Sequence, residues 1–227
     1  MKFDGTINLA LGMGATSKIW KNKKWLWSEL VAKLKEKNKT NETFKEFMKA
    51  TKAERSKIKD VGGYVGGYLR AGRRKPQNVV NRQLLTLDID FAHIDFWEDY
   101  CLQFDSAAVL HSTHSHSPES PRYRLIMPLS REVTPDEYVA IWRQIAGQIG
   151  IEYFNNTTFE VKRLMFWPSN SKDLPYYCGT QEGPWTDADA VLAQYADWKD
   201  SSLWPTTDSR YEEIKEATKK QEDPEAK

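Results

Sequence analysis

Gln83-Leu-Leu-Thr-Leu-Asp88-Ile-Asp90-Phe91 is the stretch from which the rest of this 227-residue chain is read. Leu84, Leu85, Leu87, Ile89 and Phe91 make it apolar enough for a buried strand, and Asp88 and Asp90 stand two apart near its end. Residues i and i+2 of a strand share a face, so the two carboxylates lie side by side. Their repulsion and lost hydration call for a cation between or beside them. A divalent ion is the natural candidate, because carboxylate oxygens suit magnesium and manganese, which complete their shells with water and substrate phosphates. The bland reading is two acids capping the exit from strand to loop.

Upstream lies Val61-Gly-Gly-Tyr-Val-Gly-Gly-Tyr-Leu-Arg70-Ala-Gly-Arg73-Arg74-Lys75. The glycine pairs permit close backbone approach to a ligand, and the cations after them can hold phosphates. The same residues also read as a glycine-kinked hairpin with a solvated basic turn. Further upstream, residues 2–11 read as a strand ended by Gly12 and Gly14, and Lys21-Asn-Lys-Lys24 is a small basic cluster. Trp27, Leu30, Val31 and Leu34 fall at helical spacing, and Phe44, Phe47 and Met48 mark another helix from about Asn41. Residues 1–60 are therefore expected to form a mostly helical module.

Downstream, Ile94, Trp97, Tyr100 and Cys101 share one helical face, and 107–113 read as a second buried strand leading into His114-Ser-His116. Arg122 and Arg124 then lie two apart on an otherwise apolar strand, which requires an anionic partner, either the protein's own carboxylates or a bound phosphate. Thr134-Pro-Asp-Glu137 opens the clearest helix, with Tyr138, Ile141, Trp142, Ile145 and Ile149 as its buried stripe and Gly150 as its stop. Phe159 to Trp167 reads as a strand carrying Arg163, Tyr176 to Cys178 as a last short strand, and Asp187 to Tyr195 as a short helix. The core is expected over 61–200, and 201–227 reads as a polar linker.

Composition excludes little. Lys plus Arg total 33 against 32 Asp plus Glu, so any basic surface is local. Cys101 and Cys178 lack zinc spacing, which points to reduced cytosolic thiols, and His111, His114 and His116 have no thiol to complete a zinc site. No apolar run has the length of a membrane span, and the N-terminus has no signal-peptide core, so the expected location is the cytoplasm.

Together Leu87-Asp88-Ile-Asp90, Ser112-Thr-His114 and Arg163-Leu-Met-Phe-Trp-Pro-Ser169 resemble the archaeo-eukaryotic primase superfamily, in the branch of phage, prophage and plasmid primase-polymerases usually fused to a replicative helicase. The resemblance covers about residues 60–205 well and the first sixty loosely. It implies an α/β (α+β) fold: an RRM-like catalytic sheet packed against an N-terminal α/β module, with the active site in the cleft between. It also implies Asp88 and Asp90 as ligands of Mg2+ or Mn2+, Ser112 and His114 as contacts to the incoming nucleotide, and Arg122, Arg124 and Arg163 as triphosphate-binding cations. Arg73, Arg74 and Lys75 would neutralise template phosphates. The family's third acid is replaced by Asn155-Asn156, which would weaken one metal site, with Glu152 or Glu160 as possible substitutes.

The implied activity is template-directed nucleotidyl transfer by a DNA primase or polymerase on single-stranded DNA with NTP or dNTP, in a bacterial or phage-infected cell. The polar ending implies continuation into further domains, a helicase among them. Two alternatives belong to other classes: a degenerate, non-catalytic single-stranded nucleic-acid-binding module, and a rolling-circle initiator endonuclease using His114, His116 and a tyrosine such as Tyr138.

Overall fold

The computed structural model describes residues 2–154 and 158–206. Two antiparallel sheets form its frame. The first sheet has the order β2-β1-β3-β8, from β1 (Thr6–Gly12), β2 (Lys21–Leu26), β3 (Gly63–Val65) and β8 (Met165–Phe166). The second has the order β4-β5-β7-β6-β9, from β4 (Gly67–Leu69), β5 (Val79–Ile89), β6 (Ala108–Ser112), β7 (Tyr123–Val133) and β9 (Cys178–Gln181).

The pivotal stretch forms the end of β5, and its two faces meet different partners. Leu85, Leu87 and Ile89 join the larger core with Phe96 and Tyr100 of α4 (Phe96–Gln103) and Tyr138, Ile141, Trp142 and Ile145 of α5 (Pro135–Ile149). Leu84 faces the other way and packs with Val109 and Ile126 against Ile7, Leu9, Tyr64 and Met165 of the first sheet. The order β5-α4-β6-β7-α5, with neighbours β5-β7-β6 and both helices on one face, is the expected RRM-like arrangement in an α+β fold. Helix α5 begins where its letters require: Thr134 Oγ1 accepts from the Glu137 N–H at 3.3 Å, while Glu137 accepts from the Thr134 N–H at 2.7 Å.

Residues 1–60 contain α1 (Trp27–Leu34) and α2 (Phe44–Lys49), as the helical spacing predicts, with a further helix α3 (Lys52–Ile58) that it does not, and also two strands. The basic cluster at Lys21 is an edge strand, paired to β1 over Thr6↔Leu26 through Leu11↔Lys21. Because β1 pairs with β3, and β3 with β8, packing is continuous across position 60.

One reading left open by the sequence is narrowed, and one is corrected. The glycine pairs serve strand contact: a Cβ on Gly67 would stand 2.0 Å from the Asn81 carbonyl oxygen, and one on Gly63 would stand 2.2 Å from that of Met165. Only glycine lets β4 and β5, and β3 and β8, approach this closely. The expected strand over 159–167 shrinks to Met165–Phe166, because Arg163 N–H closes a turn on the Glu160 carbonyl and the Val161 carbonyl accepts from buried Arg82 at 2.6 Å. Among the described residues no helix is long and apolar enough to cross a membrane.

Candidate active site

The face of β5 that carries Leu84 turns polar toward its end, so its acids fall between the two sheets. Strand register sets Asp88 opposite Arg124 on β7, and Arg124 opposite His111 on β6. One step further, Asp90 meets Arg122. The neighbourhood opens on a cavity of about 680 Å³, a size suited to a small-molecule substrate. It brings together Asp88, Asp90, Ser112, His114, Arg122, Arg124 and Arg163, which the sequence places on four separate segments.

Ion pairs tie these residues together. Arg124 Nε donates to Asp88 Oδ1 at 2.7 Å, and Arg163 Nη2 lies 3.2 Å from Asp88 Oδ2. Burial alone would raise the Asp88 pKa, but Arg124 and Arg163 hold the carboxyl below its ordinary value. Arg122 reaches Asp90 Oδ1 at 3.3 Å, with 38% and 28% of the two side chains exposed, so this contact is loose. The arginines thus meet the protein's own carboxylates.

The Ser112 hydroxyl accepts from the Tyr177 N–H at 3.0 Å, which fastens β6 to the segment before β9. His114 is held by Glu42 and Ser169. Arg74 lines the cavity beneath Trp20, its guanidinium 5.2 Å from the ring centroid and donating to the carbonyls of Ala15 and Lys162. Arg73 donates to the Lys18 carbonyl, and neither it nor Lys75 is among the lining residues.

Sequence reading missed Lys59, which follows α3, and Glu42, whose partners are remote in the chain. Asn155 and Asn156 lie outside the described residues. The preceding Phe154 pairs with Ile89, and the Asp90 N–H donates to the Tyr153 carbonyl at 3.1 Å. Of the substitutes, Glu160 lines the cavity and Glu152 is exposed in a 3-10 turn after α5.

A divalent ion is compatible with Asp88 and Asp90. They share a face and open on the cavity, and two carboxylates with phosphate and water form a sufficient magnesium shell. The Asp90 contact is long and partly in solvent, and Arg163, 33% exposed, is the more accessible partner of Asp88. No group of three metal-type ligands occurs among the described residues. The endonuclease reading loses support: Tyr138 is fully buried, with its hydroxyl 3.2 Å from Thr86 Oγ1, and His116 Nδ1 accepts from the Arg122 N–H.

His111 is buried beside Arg124. Its Nδ1 donates to the Ser112 carbonyl at 3.0 Å, and Nε2 has no hydrogen-bond partner among the described residues. Burial, and then Arg124, push its pKa from 6.5 to about 3. Between these values the unfolded chain binds a proton that the folded one refuses, so stability is complete above pH 6.5 and falls as pH drops toward 3. Urea unfolding should show a loss of about 2 kcal/mol at pH 5 relative to pH 7.5. The loss should shrink in His111→Gln, and an unchanged slope in that variant would refute the assignment.

Comparison with known proteins follows this geometry. No curated protein matches the chain. Among solved structures, the archaeo-eukaryotic primase domain of the cyanophage S-2L primase-polymerase is similar at 12% identity and a TM-score of 0.44, over 83% of this chain and 87% of that one. The family model of the VapE N-terminal domain matches residues 1–207, which spans both sheets and every residue of the cavity. The chain therefore belongs to the VapE N-terminal domain family.

Proposed function

We propose that this domain is a template-directed nucleotidyltransferase, a DNA primase or polymerase of a phage, prophage or plasmid replication system, acting on single-stranded DNA with NTP or dNTP. One observation carries the reading: a single cavity gathers Asp88 and Asp90 with more cations than acids. Lys52, Lys59, Arg74, Arg122, Arg124 and Arg163 face Asp88, Asp90 and Glu160 there, a balance suited to a triphosphate. Arg122 and Arg163 would exchange their carboxylates for phosphate oxygens. Lys59, whose burial lowers its pKa, would gain a counter-ion. The buried Arg124 would keep Asp88 oriented.

Asp88 and Asp90 would hold Mg2+ or Mn2+. When bound there, the ion would supply Lewis-acid chemistry, lowering the pKa of the attacking 3'-hydroxyl and neutralising charge on the departing pyrophosphate. The protein's own part is to align primer and triphosphate and to hold the leaving group by charge-assisted hydrogen bonds. A helicase region in the same full-length polypeptide remains the implied partner.

A second reading has its own support. Both Asp88 oxygens are engaged by guanidiniums, and the described residues contain no three-ligand group. That pattern also suits a non-catalytic single-strand-binding module. Incorporation of labelled nucleotide on single-stranded DNA, with and without primer, in magnesium and then manganese, separates the two. Product is expected in at least one metal. Retained DNA binding with no product in either would leave the binding module.

A further inference from the structure

Both ring nitrogens of His114 are committed to protein partners. Nε2 lies 3.0 Å from Glu42 Oε1, and Nδ1 lies 2.9 Å from Ser169 Oγ. The Phe47 ring covers the imidazole at a centroid distance of 4.5 Å. Glu42 also accepts from Thr40 Oγ1 at 2.6 Å and from Ser171 Oγ at 3.3 Å. Its backbone is clipped to the segment that carries Ser169. The Thr40 N–H donates to the Asn170 carbonyl at 3.0 Å, and the Lys172 N–H donates to the Glu42 carbonyl at 3.1 Å. Residues from the first sixty thus fix an imidazole in the turn just after β6, and both His114 and Ser169 line the cavity.

Donor counting shows what this geometry can do. A carboxylate only accepts, so Nε2 carries a hydrogen toward Glu42. In the neutral ring Nδ1 is then a lone pair, and the Ser169 hydroxyl must donate to it. Ser169 is left with only lone pairs to offer the cavity, the wrong polarity for a phosphate oxygen. A proton on Nδ1 reverses this: the imidazolium donates to Ser169 Oγ, and the hydroxyl hydrogen becomes free for a phosphate.

We infer that Ser169, not the imidazole, is the group of this relay that hydrogen-bonds a bound polyphosphate, that Glu42 is the positioning residue holding His114 for it, and that phosphate binding takes up a solvent proton at His114 Nδ1. The choice of polyphosphate as ligand rests on the nucleotidyl-transfer reading. No covalent bond changes. Burial, opposed by Glu42 and reinforced by Lys59, keeps the His114 pKa below its ordinary value, so the empty relay is neutral near pH 7.5. Glu42 on the clip and Lys59 after α3 are the charged groups acting on the ring, and Pro168 to Ser171 add none. An incoming polyanion offsets Lys59 and favours the imidazolium.

Calorimetric titration of sodium tripolyphosphate into the full chain at pH 7.5, in two buffers of different ionisation enthalpy, tests the relay. The wild type should take up about 0.5–1 more proton per bound tripolyphosphate than His114→Asn. Ser169→Ala should bind roughly 5- to 20-fold more weakly. Glu42→Gln keeps an oxygen for Nε2–H but loses the charge that favours the imidazolium. It should bind about tenfold more weakly with less proton uptake, a change that lost packing would not produce. Thermal melting of each variant verifies folding. Equal uptake in wild type and His114→Asn, unchanged affinity in Ser169→Ala, or no tripolyphosphate binding by the wild type would each overturn the inference. Proton-linked binding without nucleotide incorporation would instead leave the relay standing and remove the transfer reading.

Discussion

Replacing Arg124 with methionine is expected to lower the free energy of unfolding by about 3–5 kcal/mol, because it strands a buried carboxylate. Asp88 and Arg124 each expose only 10% of their side chains, and their 2.7 Å contact lies in the middle of the second sheet. The remaining partner, Arg163, is a third exposed and sits 3.2 Å away on a loop, so it compensates only in part. Arg124 Nη1 also donates to the Phe166 carbonyl at 3.0 Å, which ties β7 to the edge strand β8 and is lost as well. Asp88→Asn combined with Arg124→Met removes the stranded charge and should recover a large part of the loss, since the penalty lies in the unpaired ion. Urea unfolding of the single and double variants measures both effects. A cost under about 1 kcal/mol for Arg124→Met would mean that the pair is solvated and behaves as a surface contact.

Asp90→Asn is expected to have the opposite profile, a large loss of activity on an intact fold. Among the described residues its carboxylate touches only Arg122, at 3.3 Å and with both side chains partly in solvent, so stability should change by no more than about 0.5 kcal/mol. If Asp90 helps to hold the divalent ion, removing its charge forfeits several kcal/mol of transition-state stabilisation, and incorporation should fall at least about 100-fold. The same substitution releases Arg122, so tripolyphosphate affinity without metal should stay equal or become tighter. Steady-state incorporation beside calorimetry gives both numbers. Activity within a few-fold of wild type would remove Asp90 from the metal site.

What the letters determined on their own was mostly local. Apolar runs and capping placed β5, β6, β7 and α5, because a short run of apolar residues, or a threonine with a glutamate three residues on, already marks an element. Asp88 with Asp90, and Arg122 with Arg124, were legible as like-charge pairs on one strand face for the same reason: a strand sets i and i+2 side by side whatever surrounds it. Their matching was not legible. Register between β5 and β7 makes Arg124 the partner of Asp88, and register is a long-range property of the sheet.

Glycines 63 and 67 read equally as a ligand cradle or as close strand contact, and only the neighbouring carbonyls of Met165 and Asn81 decided between them. The basic cluster at Lys21 became an edge strand because β1 needed a partner on its open side, which its own polar letters do not announce. Glu42 is the clearest case. Nothing near Asn41-Glu42-Thr43 marks it as more than the approach to a helix, and it acquires its role only when the clip between residues 38–44 and 168–173 brings it within 3.0 Å of His114. Sequence determined which side chains are charged and which faces they share, because those depend on neighbours a few residues away. Tertiary structure decided which charges meet, because that depends on contacts between residues far apart in the chain, such as Asp88 and Arg163, 75 positions apart.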